Sequence, residues 1–173
     1  PKAAPTGIIS GTTTMIAERT VLTVRGDDGV ARSFVNGCRH RGAQLTCEAR
    51  GSARRFTCPY HAWVYDTRGA LVGVPHRQQF GEIDVDGLIP LPTAERAGLV
   101  FTVVTPGAAM DIDEFLGDMA DALLHLELDR LHPHDTLTTL ESGNWKSTAD
   151  GYLDGYHIGY LHSANLGLKQ INN

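Results

Sequence analysis

Two short segments, each with one cysteine and one histidine, constrain this chain more than any other feature. They are Cys38-x-His40 and Cys58-x-x-His61, with seventeen residues between His40 and Cys58. Thiolate sulfur and imidazole nitrogen are both good ligands for transition metals. Two cysteines and two histidines on two loops therefore predict a four-ligand metal site that ties the loops together.

This donor set fits two kinds of metal centre. A structural zinc site can also use two cysteines and two histidines, but there a cysteine pair normally precedes a histidine pair. In this chain each loop carries one residue of each type. The mixed order favours a [2Fe-2S] cluster in which two cysteines hold one iron and two histidines hold the other. A zinc site is the alternative, and it predicts a colourless protein.

The flanks of the two segments resemble the Rieske family, in the version found in ring-hydroxylating oxygenases. The resemblance is carried by Arg41-Gly42 in the first loop and by the segment 59–63, Pro-Tyr-His-Ala-Trp, in the second. Rieske proteins of bc-type complexes have an extra cysteine in each loop, joined as a disulfide, whereas Ala43 and Tyr60 stand at the matching positions here. The resemblance implies four cluster ligands, which are Cys38, His40, Cys58 and His61.

Composition argues against several other functions. A chain of 173 residues with 42% hydrophobic content can form one ordinary domain or two small ones. A net charge of -5 without a basic run argues against nucleic-acid binding, and no apolar stretch approaches the roughly 20 residues that span a bilayer. The third cysteine, Cys47, has no disulfide partner, so we expect a reducing compartment, the cytoplasm, and a small buried side chain at this position.

The first hundred residues have the pattern of an all-β domain. β-branched and alternating runs separated by Gly and Asp turns predict strands, with a hairpin over 20–35. The segment 70–92 contains many Gly and Pro residues and is predicted to be a loop. The predicted strands are 12–17, 20–25, 30–35, 53–57, 62–65 and 97–104, so the ligand pairs would lie at the tips of adjacent hairpins.

After Thr105-Pro106-Gly107 the spacing of apolar residues along the chain changes to the three or four residues that is typical of helices. Apolar residues three or four apart predict a helix over 111–128. A strand is expected over 135–140, and a second helical region begins within 141–146. We therefore divide the chain into a domain of residues 1–105 and a second domain of residues 106–173.

A second pair of histidines, His157 and His162, lies in this second domain. Residues five apart are separated by about 140° on a regular helix, so both can bind one metal only if the helix is distorted or broken. Gly155 and Gly159 make such a break inexpensive. A non-haem ferrous iron site uses two imidazoles and one carboxylate. The spacing alone is a weak signal, and two incidental histidines explain it equally well.

The surroundings of this pair resemble the mononuclear-iron motif of Rieske oxygenase large subunits. The motif comprises Asn144-Trp145-Lys146, then Asp154, His157 and His162. The resemblance implies that the two histidines bind a mononuclear Fe(II). It also implies a catalytic role for Asp154, which in the family joins a histidine ligand of that iron to a Rieske histidine of the neighbouring subunit. The family's third ligand is a carboxylate from much later in the chain, so this chain would be the front part of a larger subunit.

The resemblance thus implies an α+β protein, with an all-β Rieske domain followed by the start of a helix-grip (Bet v 1/START-like) catalytic domain. The implied function is that of a terminal oxygenase component, which takes electrons through the cluster and activates dioxygen at the mononuclear iron. The substrate would be an aromatic or related organic molecule, as in aromatic hydrocarbon catabolism.

The implied partners are a ferredoxin or reductase as electron donor and further copies of the chain, commonly in a trimer. The resemblance does not decide whether a small β subunit is also present. Neither nucleic acid nor a membrane is expected as a partner. The alternative function is a Rieske-type ferredoxin that only transfers electrons. That alternative accounts for residues 1–105 but leaves His157 and His162 without a role.

Overall fold

The computed structural model of the protein describes residues 10–16, 18–131 and 143–162. They belong to two compact units, one within Pro1–His132 and the other within Pro133–Asn173. Among the described residues the first unit contains ten strands, two short α-helices and two 3₁₀ turns, at Arg77–Gln79 and Leu128–Arg130, and the second contains two α-helices. The domain boundary placed between residues 105 and 106 stays a prediction.

The strands of the first unit form three antiparallel sheets. A five-stranded sheet has the order β4-β1-β2-β3-β8, a three-stranded sheet has the order β5-β6-β7, and β9 pairs with β10. The strands are β1 Ser10–Ile16, β2 Arg19–Arg25, β3 Ala31–Val35, β4 Arg50–Ser52, β5 Arg55–Thr57, β6 Val64–Asp66, β7 Leu71–Gly73, β8 Pro90–Leu91, β9 Thr93–Arg96 and β10 Leu99–Thr102.

The predicted hairpin over 20–35 is confirmed as β2 and β3. Val21 pairs with Val35, and Leu22 pairs with Phe34, so the two apolar patterns face each other in register. The turn is closed by a hydrogen bond from the Gly26 amide to the Val30 carbonyl. Alternation of β-branched and polar residues suffices to specify such a hairpin, because its strands are close in sequence.

The short hairpin of β5 and β6 holds the second ligand segment. Phe56 pairs with Tyr65, and Thr57 pairs with Val64. The strands predicted over 53–57 and 62–65 are confirmed in shortened form. The ligand segment that starts at Cys58 is therefore the connection between two paired strands.

The prediction of a continuous loop over 70–92 is wrong at three places. β7 pairs with β6, β8 pairs with β3, and Arg77–Gln79 forms one turn of 3₁₀ helix. These strands have two or three residues and exist because of distant pairing partners. Local sequence carries no periodic signal of that length.

The helix predicted over 111–128 is wrong as a single element. The structure has α1 at Ile112–Leu116 and α2 at Met119–His125. Gly117 separates them with φ 47° and ψ -132°, a conformation open to glycine but not to other residues. The start of α1 is capped by Asp111, whose side chain accepts hydrogen bonds from the amides of Asp113 and Glu114.

The core of the first unit lies directly below the two ligand loops. Its buried side chains come from strands of both larger sheets and from the loops themselves: Leu22, Val24, Phe34, Cys38, Leu45, Cys58, Trp63, Tyr65 and Leu88. Cys47, by contrast, is exposed, so the expectation of a buried thiol there is wrong. The carbonyls of Thr46 and Glu48 on either side accept hydrogen bonds from Asn36 and Thr13. The backbone of this segment is thus turned towards the protein, and the Cys47 side chain projects away.

The second unit contains α3 at Trp145–Leu153 and α4 at Ile158–Leu161. The predicted second helical region is thereby confirmed, and Asn144 caps α3 by accepting a hydrogen bond from the Lys146 amide. The strand predicted over 135–140 lies outside the described residues. In the described segments, no helix has the length and apolar character needed to cross a membrane.

Candidate metal centres

The first ligand loop is closed by backbone hydrogen bonds at its cysteine. The Cys38 amide donates to the Ala43 carbonyl, and the Cys38 carbonyl accepts from the Gly42 amide, both at 2.8 Å. Gly42 has φ 71°, the left-handed conformation that suits glycine. The loop is therefore a tight turn that presents the side chain of His40 at its tip.

The second loop repeats this geometry. The Cys58 amide donates to the Trp63 carbonyl at 2.8 Å, and the Cys58 carbonyl accepts from the Ala62 amide at 2.9 Å. Ala62 has φ 55°, a left-handed conformation that costs a non-glycine residue about 1–2 kcal/mol. Equivalent hydrogen bonds thus shape both loops, although one has a single residue between its cysteine and histidine and the other has two.

The four predicted ligands differ in burial, with the cysteines inside the protein and the histidines nearer the solvent. Cys38 and Cys58 are 2% and 3% exposed and belong to the core. His40 is half-buried and His61 is exposed, and their ring centroids lie 4.5 Å apart at an interplanar angle of 68°. Sulfur donors on the protein side and imidazole donors on the solvent side suit a cluster whose two irons have different ligands.

One unsatisfied atom shows that a metal fits this site. The Nδ1 atom of His40 is buried and has no hydrogen-bond partner, the only such side-chain nitrogen or oxygen in the part of the chain that the structure describes. An unsatisfied buried polar atom costs about 1–3 kcal/mol. Coordination of a metal by Nδ1 removes that cost, and both nearby thiols are free to bind as well.

Within residues 10–16, 18–131 and 143–162, no three His, Cys, Asp or Glu side chains converge to hold a single ion. A [2Fe-2S] cluster needs only two protein ligands for each iron.

Tyr65, which no sequence motif marks as functional, contacts a predicted ligand. Its fully buried hydroxyl lies 3.3 Å from Sγ of Cys38 and accepts a hydrogen bond from the Arg39 amide at 3.0 Å. Because that amide is the donor, the hydroxyl hydrogen is free to point at the sulfur. Burial, followed by the hydrogen bond to Cys38, raises the pKa of Tyr65 above its ordinary value. The hydroxyl therefore stays protonated and remains a donor.

Aromatic rings surround the two histidines unequally. Trp63 stacks on His40 with ring centroids 4.9 Å apart and an interplanar angle of 9°, and Phe80 meets the same ring edge-on at 6.3 Å. His61 contacts the exposed ring of Tyr60 at 3.9 Å. Partial burial, followed by the charges of His61 and Arg41, lowers the pKa of His40. Its imidazole is thus favoured in the neutral form that binds metals.

The second unit contains the other predicted histidine pair. His157 precedes α4 and His162 follows it, and their ring centroids lie 5.3 Å apart at 69°. The helical region is broken between Leu153 and Ile158, the kind of break that binding of one metal by both histidines would need. The two imidazoles therefore approach each other across a single helical turn.

Asp154 contacts His157 directly. Its Oδ2 lies 3.2 Å from Nδ1 of His157, and its Oδ1 accepts a hydrogen bond from the Tyr156 amide at 2.8 Å. The amide bond, followed by the contact with His157, lowers the pKa of Asp154. An ionised carboxylate that accepts from Nδ1–H leaves Nε2 of His157 available for a metal. The metal-ligand roles of this pair, the positioning role of Asp154 and the third carboxylate ligand stay predictions.

The fold and the first centre define a Rieske domain. The family model described as "Rieske [2Fe-2S] domain" matches residues 7–94, and the chain belongs to this family. The predicted Rieske domain and its [2Fe-2S] cluster are thereby confirmed.

Similarity to known proteins extends beyond that domain. The chain is 35% identical over 159 residues to 2-aminobenzenesulfonate 2,3-dioxygenase subunit alpha from an Alcaligenes species, a match that covers 88% of this chain and 40% of the relative. It is 37% identical over 150 residues to the carnitine monooxygenase oxygenase subunit from Escherichia coli K12, covering 85% of this chain and 40% of the relative. The chain thus spans less than half the length of these two relatives.

A solved structure gives the same result. The quaternary ammonium Rieske monooxygenase CntA in complex with L-carnitine superposes with a TM-score of 0.83 at 29% identity, covering 99% of this chain and 49% of that chain. The predicted resemblance to oxygenase large subunits and the predicted fold class are confirmed by these matches. A Rieske-type ferredoxin is disfavoured, because a match to 88% of this chain cannot fit within the 7–94 segment.

Proposed function

We propose that the protein is the terminal oxygenase component of a Rieske oxygenase system, which hydroxylates an aromatic or related small organic molecule. One observation supports this most strongly. A single chain contains both the buried-thiol and imidazole site around Cys38 and Cys58 and a second imidazole pair with an attached carboxylate. An electron carrier needs only the first site.

Two groups supply the redox chemistry when bound, the [2Fe-2S] cluster as the electron entry point and a mononuclear Fe(II) as the centre that activates dioxygen. The residues of this chain hold and orient these groups. Cys38, His40, Cys58 and His61 bind the cluster in the proposal, and His157 and His162 bind the Fe(II). Asp154 keeps His157 in the tautomer with a proton on Nδ1.

Asp154 has a second proposed role. Half of its side chain is exposed, so its carboxylate can accept a further hydrogen bond. A second copy of the chain presents an exposed His61 imidazole on its cluster. A hydrogen bond between these groups would link the two centres across a subunit boundary, which supports the proposal of a ring-shaped homo-oligomer. The proposed setting is the cytoplasm.

The exposed surface around the histidines fits an acidic partner. Arg39, Arg41 and Arg77, here called the positive rim, are exposed and have no ion-pair partner in the described part of the chain. The segments 38–44, 58–63 and 74–81 contain no Asp or Glu. Because the whole chain has a net charge of -5, this local excess of positive charge is notable. It supports docking of an acidic electron donor, a ferredoxin or reductase.

The metal content of paired variants tests this proposal. In anaerobically purified protein we expect about three irons and about two acid-labile sulfides per chain, with the rhombic EPR signal of a histidine-ligated cluster after reduction. Replacing both His157 and His162 by Ala should lower iron to about two and abolish substrate hydroxylation, while sulfide and the EPR signal persist. His125→Ala is the matched control, because His125 is an exposed histidine on α2.

Each outcome has a distinct meaning. Full hydroxylation activity in the double variant would refute the oxygenase site. Two irons in both the natural protein and the variant would favour the ferredoxin alternative. Zinc without sulfide would refute the cluster as well.

A further inference from the structure

Phe80 lies over a cluster ligand although no sequence motif assigns it a role. The chain leaves β7, adopts a left-handed conformation at His76 with φ 54°, and makes one 3₁₀ turn over Arg77–Gln79. The Phe80 amide then donates to the Arg77 carbonyl at 3.1 Å. This turn brings the Phe80 ring to 6.3 Å from both His40 and Trp63, with interplanar angles of 89° and 81°.

Besides the His61 imidazole, His40 is therefore in contact with the rings of Trp63 and Phe80. The buried Trp63 covers one face of the imidazole in a nearly parallel stack, and Phe80 meets it at a right angle. Aromatic pairs of this kind contribute about 0.5–1.5 kcal/mol beyond the area that they bury. Phe80 is 40% exposed, so most of the core does not depend on it. A large, partly exposed apolar side chain that meets the ring of a buried and unsatisfied histidine is better explained by that histidine than by core packing.

We propose that Phe80 is a positioning residue for the cluster, which with Trp63 fixes the His40 ring and keeps water away from the iron that His40 binds. This inference rests on the cluster assigned to the Rieske domain, and it does not depend on the mononuclear iron. It predicts two measurable properties, the reduction potential of the cluster and the rate at which the cluster loses iron.

The direction of the potential shift follows from charge. The oxidised cluster has a net charge of zero, counting two ferric irons, two sulfides, two thiolates and neutral histidines. The one-electron reduced cluster carries one negative charge. Water stabilises the more highly charged form. Opening the site by removing the Phe80 ring should therefore raise the reduction potential. A less restrained His40 should also release its iron faster.

The test compares Phe80→Ala and Phe80→Leu with two controls in the full, cluster-loaded protein. Phe80→Tyr keeps the ring. Phe115→Ala removes an exposed phenylalanine from another edge-on pair, Phe101 and Phe115 with centroids 6.4 Å apart, whose residues belong to neither ligand loop. The readouts are the midpoint potential from a redox titration followed by circular dichroism, and the rate of iron release to an excess of chelator.

We expect Phe80→Ala to raise the midpoint potential and to release iron about 2- to 12-fold faster, the range that corresponds to the loss of one aromatic pair. Phe80→Leu should shift both readouts in the same direction by less, and it serves if the alanine variant does not fold. Phe80→Tyr and Phe115→Ala should match the natural protein.

Unchanged readouts in both the Ala and Leu variants would overturn the inference, and so would a lowered potential or an equal effect of Phe115→Ala. These results would leave the proposed oxygenase function intact. A natural protein that lacks sulfide and the cluster signal would refute both the proposed function and this inference.

Discussion

The hydroxyl of Tyr65 should raise the reduction potential of the cluster, and Tyr65→Phe tests this. The substitution removes one oxygen from a fully buried ring, which lies 3.3 Å from Sγ of Cys38 and 3.0 Å from the Arg39 amide. Negative charge on the ligand sulfur increases when the cluster is reduced. A hydrogen bond to that sulfur therefore stabilises the reduced form more than the oxidised form.

The size of the effect follows from ordinary hydrogen-bond energies. A net contribution of about 0.5–1.5 kcal/mol per bond, applied to the difference between the two oxidation states, corresponds to about 20–65 mV for a one-electron couple. The loss of the acceptor for the Arg39 amide affects both oxidation states nearly equally. That loss should lower the free energy of unfolding by about 1–3 kcal/mol rather than shift the potential.

A redox titration followed by EPR measures the reduction potential and so tests the prediction. Tyr60→Phe is the matched control. Tyr60 also lies beside a ligand, His61, but its ring is 60% exposed. Among the described residues no hydrogen bond joins its hydroxyl to a ligand sulfur. We expect a lower potential in Tyr65→Phe and little change in Tyr60→Phe. An unchanged or higher potential in Tyr65→Phe would show that the hydroxyl does not donate to the sulfur.

Three further predictions concern the first unit. Gly69→Ala should lower the free energy of unfolding in urea by about 2–5 kcal/mol, because Gly69 has φ 83° and an added Cβ would overlap the Phe34 ring. The control is Gly29→Ala, which has a similar φ of 76° but open space around the added Cβ, and it should cost only about 1–2 kcal/mol. Equal losses would mean that the ring moves aside. Glu95→Gln should lower stability by about 0.2–1 kcal/mol near neutral pH, where the half-exposed Arg25–Glu95 pair is charged. Its hydrogen bond with Arg25 lowers the pKa of Glu95, so the contribution is present above the unfolded-state pKa and is lost as the pH falls through the folded-state pKa. Natural protein and variant should therefore have the same stability at a pH well below the folded-state pKa of Glu95, and a stability difference that does not shrink as the pH falls would contradict the ion pair. Arg41→Glu should slow reduction of the cluster by an acidic plant-type ferredoxin about tenfold at low salt, and added salt should suppress this effect. Arg50→Glu on β4 is the control, because it makes the same charge change away from the ligand loops. Equal slowing in stopped-flow measurements would argue against the positive rim as the docking surface.

Several features could be predicted from sequence because they depend on residues close together in the chain. The hairpin of β2 and β3 follows from alternating residues around a turn. The ligand segments belong to this class, since a metal restricts both residue type and spacing. The break near His157 was expected only on the condition that both histidines bind one metal, because residues five apart cannot meet on a regular helix.

Other features depend on residues that are distant in sequence and were decided only by the tertiary structure. Tyr65 reaches Cys38 from a strand twenty-seven residues away, and Phe80 reaches His40 across a longer separation. The strands β7 and β8 exist because β6 and β3 offer them hydrogen bonds. By itself, the sequence identified the candidate metal ligands, whose roles stay predictions, and it indicated the family, which the family match confirms. The tertiary structure decided which side chains surround those ligands, because hydrogen bonds and ring contacts depend on positions in space that local patterns do not encode.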